Sequence, residues 1–188
     1  MAKNLLPDKK NLLIDSAVEV FSEKGYWNTK ISDIVKKADV AQGTFYLYFK
    51  NKEDLFKEML LKLHNDSVEE MNKLLSQKTE NHLDTLLYFL LQKFHNRKKL
   101  IKVFLYETLS VGIEFVEILK HFRKVTSEFI ADAIKEDYPE IENDTLLRKS
   151  FIVNAILREY MELNIITENR SFDTSWEEIK TLMREIIP

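Results

Sequence analysis

Apolar residues recur at helical spacing along nearly the whole chain, and the breaks between the runs are few and sharp. Leu13, Ile14, Ala17, Val18 and Phe21 share one face of a helix predicted from about Pro7 or Asp8 to Lys24. Gly25 follows as a left-handed cap. Thr29 is the expected N-cap of a short helix whose inner face is Ile31, Ile34, Val35 and Ala38. Asp39-Val40-Ala41 makes a tight turn into a second short helix, about Gln42 to Tyr48, with Phe45 and Phe49 inward at i, i+4. Asn51 and Asp54 have the spacing of a capping box and open a long helix through Leu55, Phe56, Met59, Leu60 and Leu63.

Beyond residue 75 the pattern predicts amphipathic helices near 81–95, 98–110, 113–136, 144–167 and 174–187. Gly112 and Pro139 break two of the junctions. Asn143 or Asp144, and Asp173 or Thr174, are the expected caps of the last two helices. No segment has strand periodicity. The fold class is therefore all-α, about nine helices: a three-helix helix-turn-helix head over 1–52 and a helical body over 53–188.

Two short helices joined by three residues after a longer one suit a DNA major groove. With Phe45 and Phe49 inward, a 100° step puts Gly43, Thr44 and Leu47 on the outer face and Tyr46 at its edge. Gln42 stands at the helix N-terminus, where free N–H groups favour phosphate. Gly43 lets a backbone approach a groove closely. Gln42 and Thr44 carry groups that read base edges, Leu47 suits a thymine methyl, and Tyr46, Tyr48, Lys50 and Lys52 suit phosphates. Five residues in a row, Phe45 to Phe49, cannot all face one core.

The run Thr29-Lys30-Ile31-Ser32-Asp33-Ile34-Val35, with Val40-Ala41-Gln42-Gly43-Thr44-Phe45-Tyr46-Leu47-Tyr48-Phe49-Lys50-Asn51-Lys52-Glu53-Asp54-Leu55, resembles the head of the tetracycline-repressor (TetR-like) family. The likeness covers roughly residues 10–60. It implies a DNA-binding head that includes Thr29 and Lys30, an effector-binding helical body, and a dimer formed mainly by the last two helices. It also implies a repressor released by a ligand. Asp39, Ala41 and Lys30 depart from the usual pattern, standing where glycine, serine and a small hydroxyl residue are common.

Net charge is −3, which by itself argues against a polyanionic partner. The distribution reverses that argument. Between Thr29 and Lys52 five lysines are opposed only by Asp33 and Asp39, and phosphate attraction needs only a local basic face. Lys36 and Lys37 read as a solvated face, and Trp27 fits either a wedge between helices or an exposed contact. There is no cysteine, so disulfides and thiolate chemistry are excluded. His64, His82, His95 and His121 are scattered without ligand spacing, and no phosphate loop or nucleophile motif occurs. The expectation is a non-enzyme with no metal and no cofactor. The residues Met1 to Asp8 lack the apolar core of a secretory signal and no stretch suits a bilayer span, so a cytoplasmic protein without membrane contact is expected.

The aromatic body suggests an apolar pocket, with Phe89, Phe104, Tyr106, Glu107, Phe122, Arg123, Phe151 and Tyr160 as candidates. The helix at 144–167 is apolar nearly all round. Its Ile152 and Ile156, with Trp176, Ile179, Leu182, Met183 and Ile186, suit a two-fold homodimer interface. Together with the family resemblance, which implies the repressor role and release by a ligand, these features lead to the expectation of a dimeric repressor on pseudo-palindromic double-stranded DNA, released by a small, largely apolar effector. The alternative is a DNA-binding regulator or architectural factor with no such effector.

Overall fold

The computed structural model describes residues 7–187, among which lie ten α-helices and one π-helical segment. The segment Met1 to Leu6, on which the reading of no secretory signal partly rests, lies outside the described residues. The helices are α1 (Pro7–Lys24), α2 (Ile31–Lys37), α3 (Gln42–Tyr48), α4 (Lys52–Leu75) and α5 (His82–Asn96). They continue as α6 (Lys98–Tyr106), α7 (Thr108–Val111), α8 (Ile113–Asp137), α9 (Asn143–Tyr160) and α10 (Phe172–Ile186). The π-helical segment Met161–Thr167 extends α9.

Contacts divide the chain into two compact units. The first takes the chain up to Asp66 together with Lys99–Val116; the second takes Ser67–Lys98 and Glu117 onward. The chain passes between them inside helices, since α4, α6 and α8 each run across a division. In the first unit Leu13, Ile14, Ala17 and Phe21 of α1, Ile34 of α2, and Phe45 and Phe49 around α3 are buried with Leu55, Phe56, Met59 and Leu60 of α4. Phe56 also meets the rings of Phe104 and Phe115, at centroid distances of 6.4 and 5.5 Å. In the second unit α10 packs on α5 and α9, burying Ile179 and Met183 with Leu86, Leu87, Val153 and Leu157. Asn154 of α9 donates to the Ser127 hydroxyl of α8 at 2.8 Å.

Several boundaries differ from expectation for local reasons. Lys30, extended at φ −103° and ψ 152°, is the N-cap of α2, and its N–H donates to Asp33 Oδ2 at 3.0 Å. Thr29 is only 2% exposed and turns its hydroxyl to the Gly25 carbonyl at 2.6 Å, so it does not cap α2. Glu142 caps α9, and Ser171 caps α10 through its hydroxyl, which accepts from Thr174 N–H at 3.2 Å. The expected helix at 98–110 is two, parted at Glu107. The expected helix at 144–167 changes its winding after Tyr160. There, Glu168 N–H reaches back five residues to the Leu163 carbonyl at 3.0 Å, the wider loop of a π turn.

A candidate nucleic-acid interface on the third helix

The turn between α2 and α3 sets the face that α3 presents. Ala38 N–H returns to the Ile34 carbonyl at 2.9 Å, Asp39 takes a left-handed φ of 51°, and Val40 N–H closes on the Val35 carbonyl at 3.0 Å. Asp tolerates that conformation better than most side chains. On α3 the Phe45 and Phe49 rings lie inward, 5.5 Å apart, as the periodicity requires. Gln42 and Gly43 are exposed, Thr44 and Tyr48 half-buried, Tyr46 is 55% and Leu47 39% exposed. A Cβ built on Gly43 meets nothing within 4 Å. The protein itself therefore does not require glycine there. Ala41 caps α3 without a side-chain hydrogen bond, and the Thr44 N–H closes on the Ala41 carbonyl at 2.8 Å.

Lys30, Lys36 and Lys50 are exposed and form no ion pair among the described residues, which gives α2 and α3 a basic rim. Lys37 is tied to Glu19 at 2.5 Å, which holds its ammonium above the ordinary lysine range. The Lys24 ammonium, 2.9 Å from Asp33, keeps that carboxyl below its usual value, helped by Lys30 N–H.

Two expected DNA contacts have other partners. Thr29 is buried, its hydroxyl taken by Gly25. Lys52 turns inward: its ammonium donates to the carbonyls of Tyr26 at 2.7 Å and Thr29 at 2.9 Å and lies 4.2 Å from the centre of the Tyr26 ring. Burial pulls its pKa down. An ammonium held this way ties the loop after α1 rather than reaching a phosphate.

The residues expected to line a pocket are dispersed. Glu107, in the first unit, accepts from Tyr26 N–H at 2.7 Å and Trp27 N–H at 3.3 Å, so its carboxylate is occupied. Phe104 packs on Phe56, and Tyr106 is exposed. In the second unit Arg123 and Phe151 are exposed and Phe122 is half-buried. Tyr160 is buried and donates to Glu178 at 2.5 Å. Phe89 alone of the eight lines a groove of about 380 Å³, with Leu74, Asp84, Thr85, Tyr88, Gln92 and Trp176. Of these partners, Trp176 had been expected at a dimer interface; its ring meets Tyr88 edge-on at 5.2 Å. Ile179 and Met183, also expected at that interface, lie in the core of the second unit instead. Between Asn143 and Ile186 the exposed large apolar side chains are Leu147, Phe151, Ile152, Leu163 and Leu182, with Ile156 and Ile186 half-buried.

Sequence reasoning missed Tyr26, which is fully buried against Phe21 and Phe56. Its signal was available: a left-handed glycine cap is commonly followed by an apolar residue that folds back on the helix. Among the described residues no group of His, Asp or Glu is placed to hold a metal ion, and no helix is long and apolar enough to cross a membrane.

Comparison with known proteins agrees with this head. The family model for bacterial regulatory proteins of the tetR family matches residues 13–59. The fatty acid metabolism regulator protein of Bacillus subtilis is 33% identical over 150 residues, covering 77% of this chain and 77% of its own. The negative transcriptional regulator IcaR of the Staphylococcus epidermidis biofilm operon is 30% identical over 152 residues, covering 79% of this chain and 78% of its own. The crystal structure of the Bacillus subtilis regulator FadR, in complex with stearoyl-CoA, shares the fold at a TM-score of 0.76 and 23% identity, over 94% of this chain and 97% of that one. A third of the residues retained over three quarters of both chains, together with the matched head, establish that this chain belongs to the tetR family of bacterial regulatory proteins and is a helix-turn-helix transcriptional regulator.

Proposed function

We propose that the chain is a cytoplasmic, homodimeric repressor that reads a pseudo-palindromic operator through α3 and leaves it when a small, largely apolar ligand binds. DNA recognition is assigned to residues 1–52, effector binding and dimerisation to 53–188. The observation that carries this reading is the outer face of α3, where Gln42, Gly43, Tyr46 and Leu47 are exposed, with Thr44 half-buried among them, over buried Phe45 and Phe49. Gln42 and Thr44 suit base edges, Leu47 a thymine methyl, and Tyr46, Tyr48, Lys30 and Lys50 phosphates.

The dimer reading is supported by Leu147, Phe151 and Ile152, which share one side of α9 at i, i+4, i+5, with Leu182 on the neighbouring α10. An exposed apolar stripe of this kind suits a two-fold helical interface. Two heads related by the axis would then enter major grooves about one turn, ~34–36 Å, apart. Repression accords with the negative regulator IcaR among the relatives. The ligand reading is supported by the groove beside Tyr88, Phe89 and Trp176 and by the stearoyl-CoA held in a structure of the same fold.

Selection of duplexes from a randomised pool by the full chain tests the reading. Recovered sequences with two inverted half-sites one turn apart are expected; recovery of no preferred sequence overturns it. The ligand step has its own test, with stearoyl-CoA as the first probe. Operator DNA must weaken its binding by the factor by which it weakens operator binding. Equal affinity with and without operator would remove induction by that probe.

A further inference from the structure

The loop between α1 and α2, Gly25 to Lys30, is held by two groups of opposite charge, the Glu107 carboxylate and the Lys52 ammonium. On one side the Glu107 carboxylate accepts from the N–H groups of Tyr26, at 2.7 Å, and Trp27, at 3.3 Å. On the other the Lys52 ammonium donates to the carbonyls of Tyr26, at 2.7 Å, and Thr29, at 2.9 Å. Tyr26 thus has its N–H on a carboxylate and its carbonyl on an ammonium. Charge-assisted hydrogen bonds of this kind are roughly twice as strong as neutral ones. The Trp27 indole N–H adds a bond to the Ser110 hydroxyl at 3.2 Å. A Cβ on Gly25 would meet Glu107 Oε1 at 2.6 Å, and its φ of +79° already favours glycine.

Thr29, the last residue tied down, directly precedes the N-cap of α2, and α2 packs on α3. Wherever the loop is set, α2 and α3 are set with it. Glu107 stands between α6 and α7, about eighty residues further along the chain, and belongs to the same compact unit.

We infer that Glu107 is a positioning residue for DNA recognition: it fixes the α1–α2 loop against Lys52 and thereby the register in which α3 meets a groove. This rests on the reading of α3 proposed above. The expected loss is selective. Non-specific binding comes from charge and tolerates small shifts of the head, whereas base readout does not.

The test uses the full chain with a duplex selected from the randomised pool and a scrambled duplex of equal length. Glu107→Ala is expected to weaken the selected duplex about tenfold or more, on the scale of one lost specific base contact. The scrambled duplex should be bound within about twofold of wild type, with an unchanged salt slope, because no cation is lost. Glu107→Gln keeps an oxygen for the Tyr26 N–H and should recover most of the discrimination. In a Trp176→Phe background, Trp27 emission should shift in the alanine variant and less in the glutamine one.

Equal weakening on both duplexes in step with a lowered Tm would assign Glu107 to stability alone and overturn the inference. Wild-type discrimination in a folded Glu107→Ala protein would do the same. Should Glu107→Ala not fold, Glu107→Asp, whose carboxylate is set back by one methylene, takes its place: a loss confined to the selected duplex supports the inference, and equal losses on both duplexes or wild-type discrimination overturns it. A wild type that prefers no sequence would instead sink the assignment of α3.

Discussion

The outer faces of α3 and of α9 differ in chemistry. On α3 the outer surface mixes exposed Gln42, Tyr46 and Leu47 and half-buried Thr44 with the nearby cations Lys30 and Lys50. On α9 the exposed surface carries Leu147, Phe151 and Ile152, the last two 51% and 49% exposed, together with Arg148 and Glu159, and α10, which packs on α9, exposes Leu182. Both faces stand on a buried row of the same helix, Phe45 and Phe49 for α3 and Val153 and Leu157 for α9. A helix with one anchored row has its other side free for a partner, and the composition of that side selects the class of partner. Mixed polar and aromatic groups with a basic rim match a nucleic acid; a face carrying several exposed aliphatic and aromatic side chains matches another apolar helix.

Breaking the apolar face should have the larger effect. Phe151→Glu places a charge where the proposed two-fold contact excludes water, and the dimer should weaken about a hundredfold or more, ~3 kcal/mol, with operator binding lost in parallel. Sedimentation reads the outcome, and an unchanged dimer would move the interface elsewhere. Lys52→Met should come next. It removes charged hydrogen bonds to the Tyr26 and Thr29 carbonyls and should cost about 2 kcal/mol in a denaturation midpoint. An equal loss of affinity for selected and scrambled duplexes, with stability intact, would return Lys52 to the phosphate role.

Gly43→Ala sharpens the contrast from the other direction. The added methyl meets nothing in the protein and should stabilise α3 by roughly 0.5–1 kcal/mol. Operator affinity should nevertheless fall about tenfold if the backbone there approaches a groove. Unchanged affinity in a gel-shift titration would remove Gly43 from the contact surface.

The smallest effect concerns Asp84 in the groove. Burial raises its carboxyl pKa, opposed by Lys180 and Arg184 and reinforced by Asp137. A raised carboxyl favours the protonated form in the folded state, so the charge weakens the fold above the folded pKa. That penalty disappears below the unfolded value of roughly 3.9. Asp84→Asn should therefore raise Tm slightly at pH 7 and leave it unchanged near pH 3. Thermal scans at the two pH values check this.

Much of the head was legible in the chain because its determinants are local. Residues 42–48 are short and anchored by two phenylalanines one turn apart, and α3 occupies that span. The cap of α2 was misplaced by one residue because a threonine hydroxyl serves equally well as a cap or as a donor to a carbonyl four residues back. Thr29 does the latter. The roles of Lys52 and Glu107 escaped for a different reason: both bind the backbone of the α1–α2 loop, 26 and 23 residues from Lys52 and 81 from Glu107, and pairing at such separations leaves no trace in local pattern. The last helix shows a third limit. Its apolar residues divide between a core row, Ile179 and Met183, and an outer position, Leu182, and periodicity names the stripe without saying which edge of it faces inward.

The central claim is that α3 reads bases while the lysines beside it hold the backbone. It is tested most directly by comparing Gln42→Ala with Lys50→Ala in duplex selection and in salt titration of the selected operator. Gln42→Ala should relax the preference at one position of each half-site and leave the salt slope alone. Lys50→Ala should weaken all sites alike and reduce the slope by ~0.9 per head. Identical, position-independent losses from both substitutions would contradict the account.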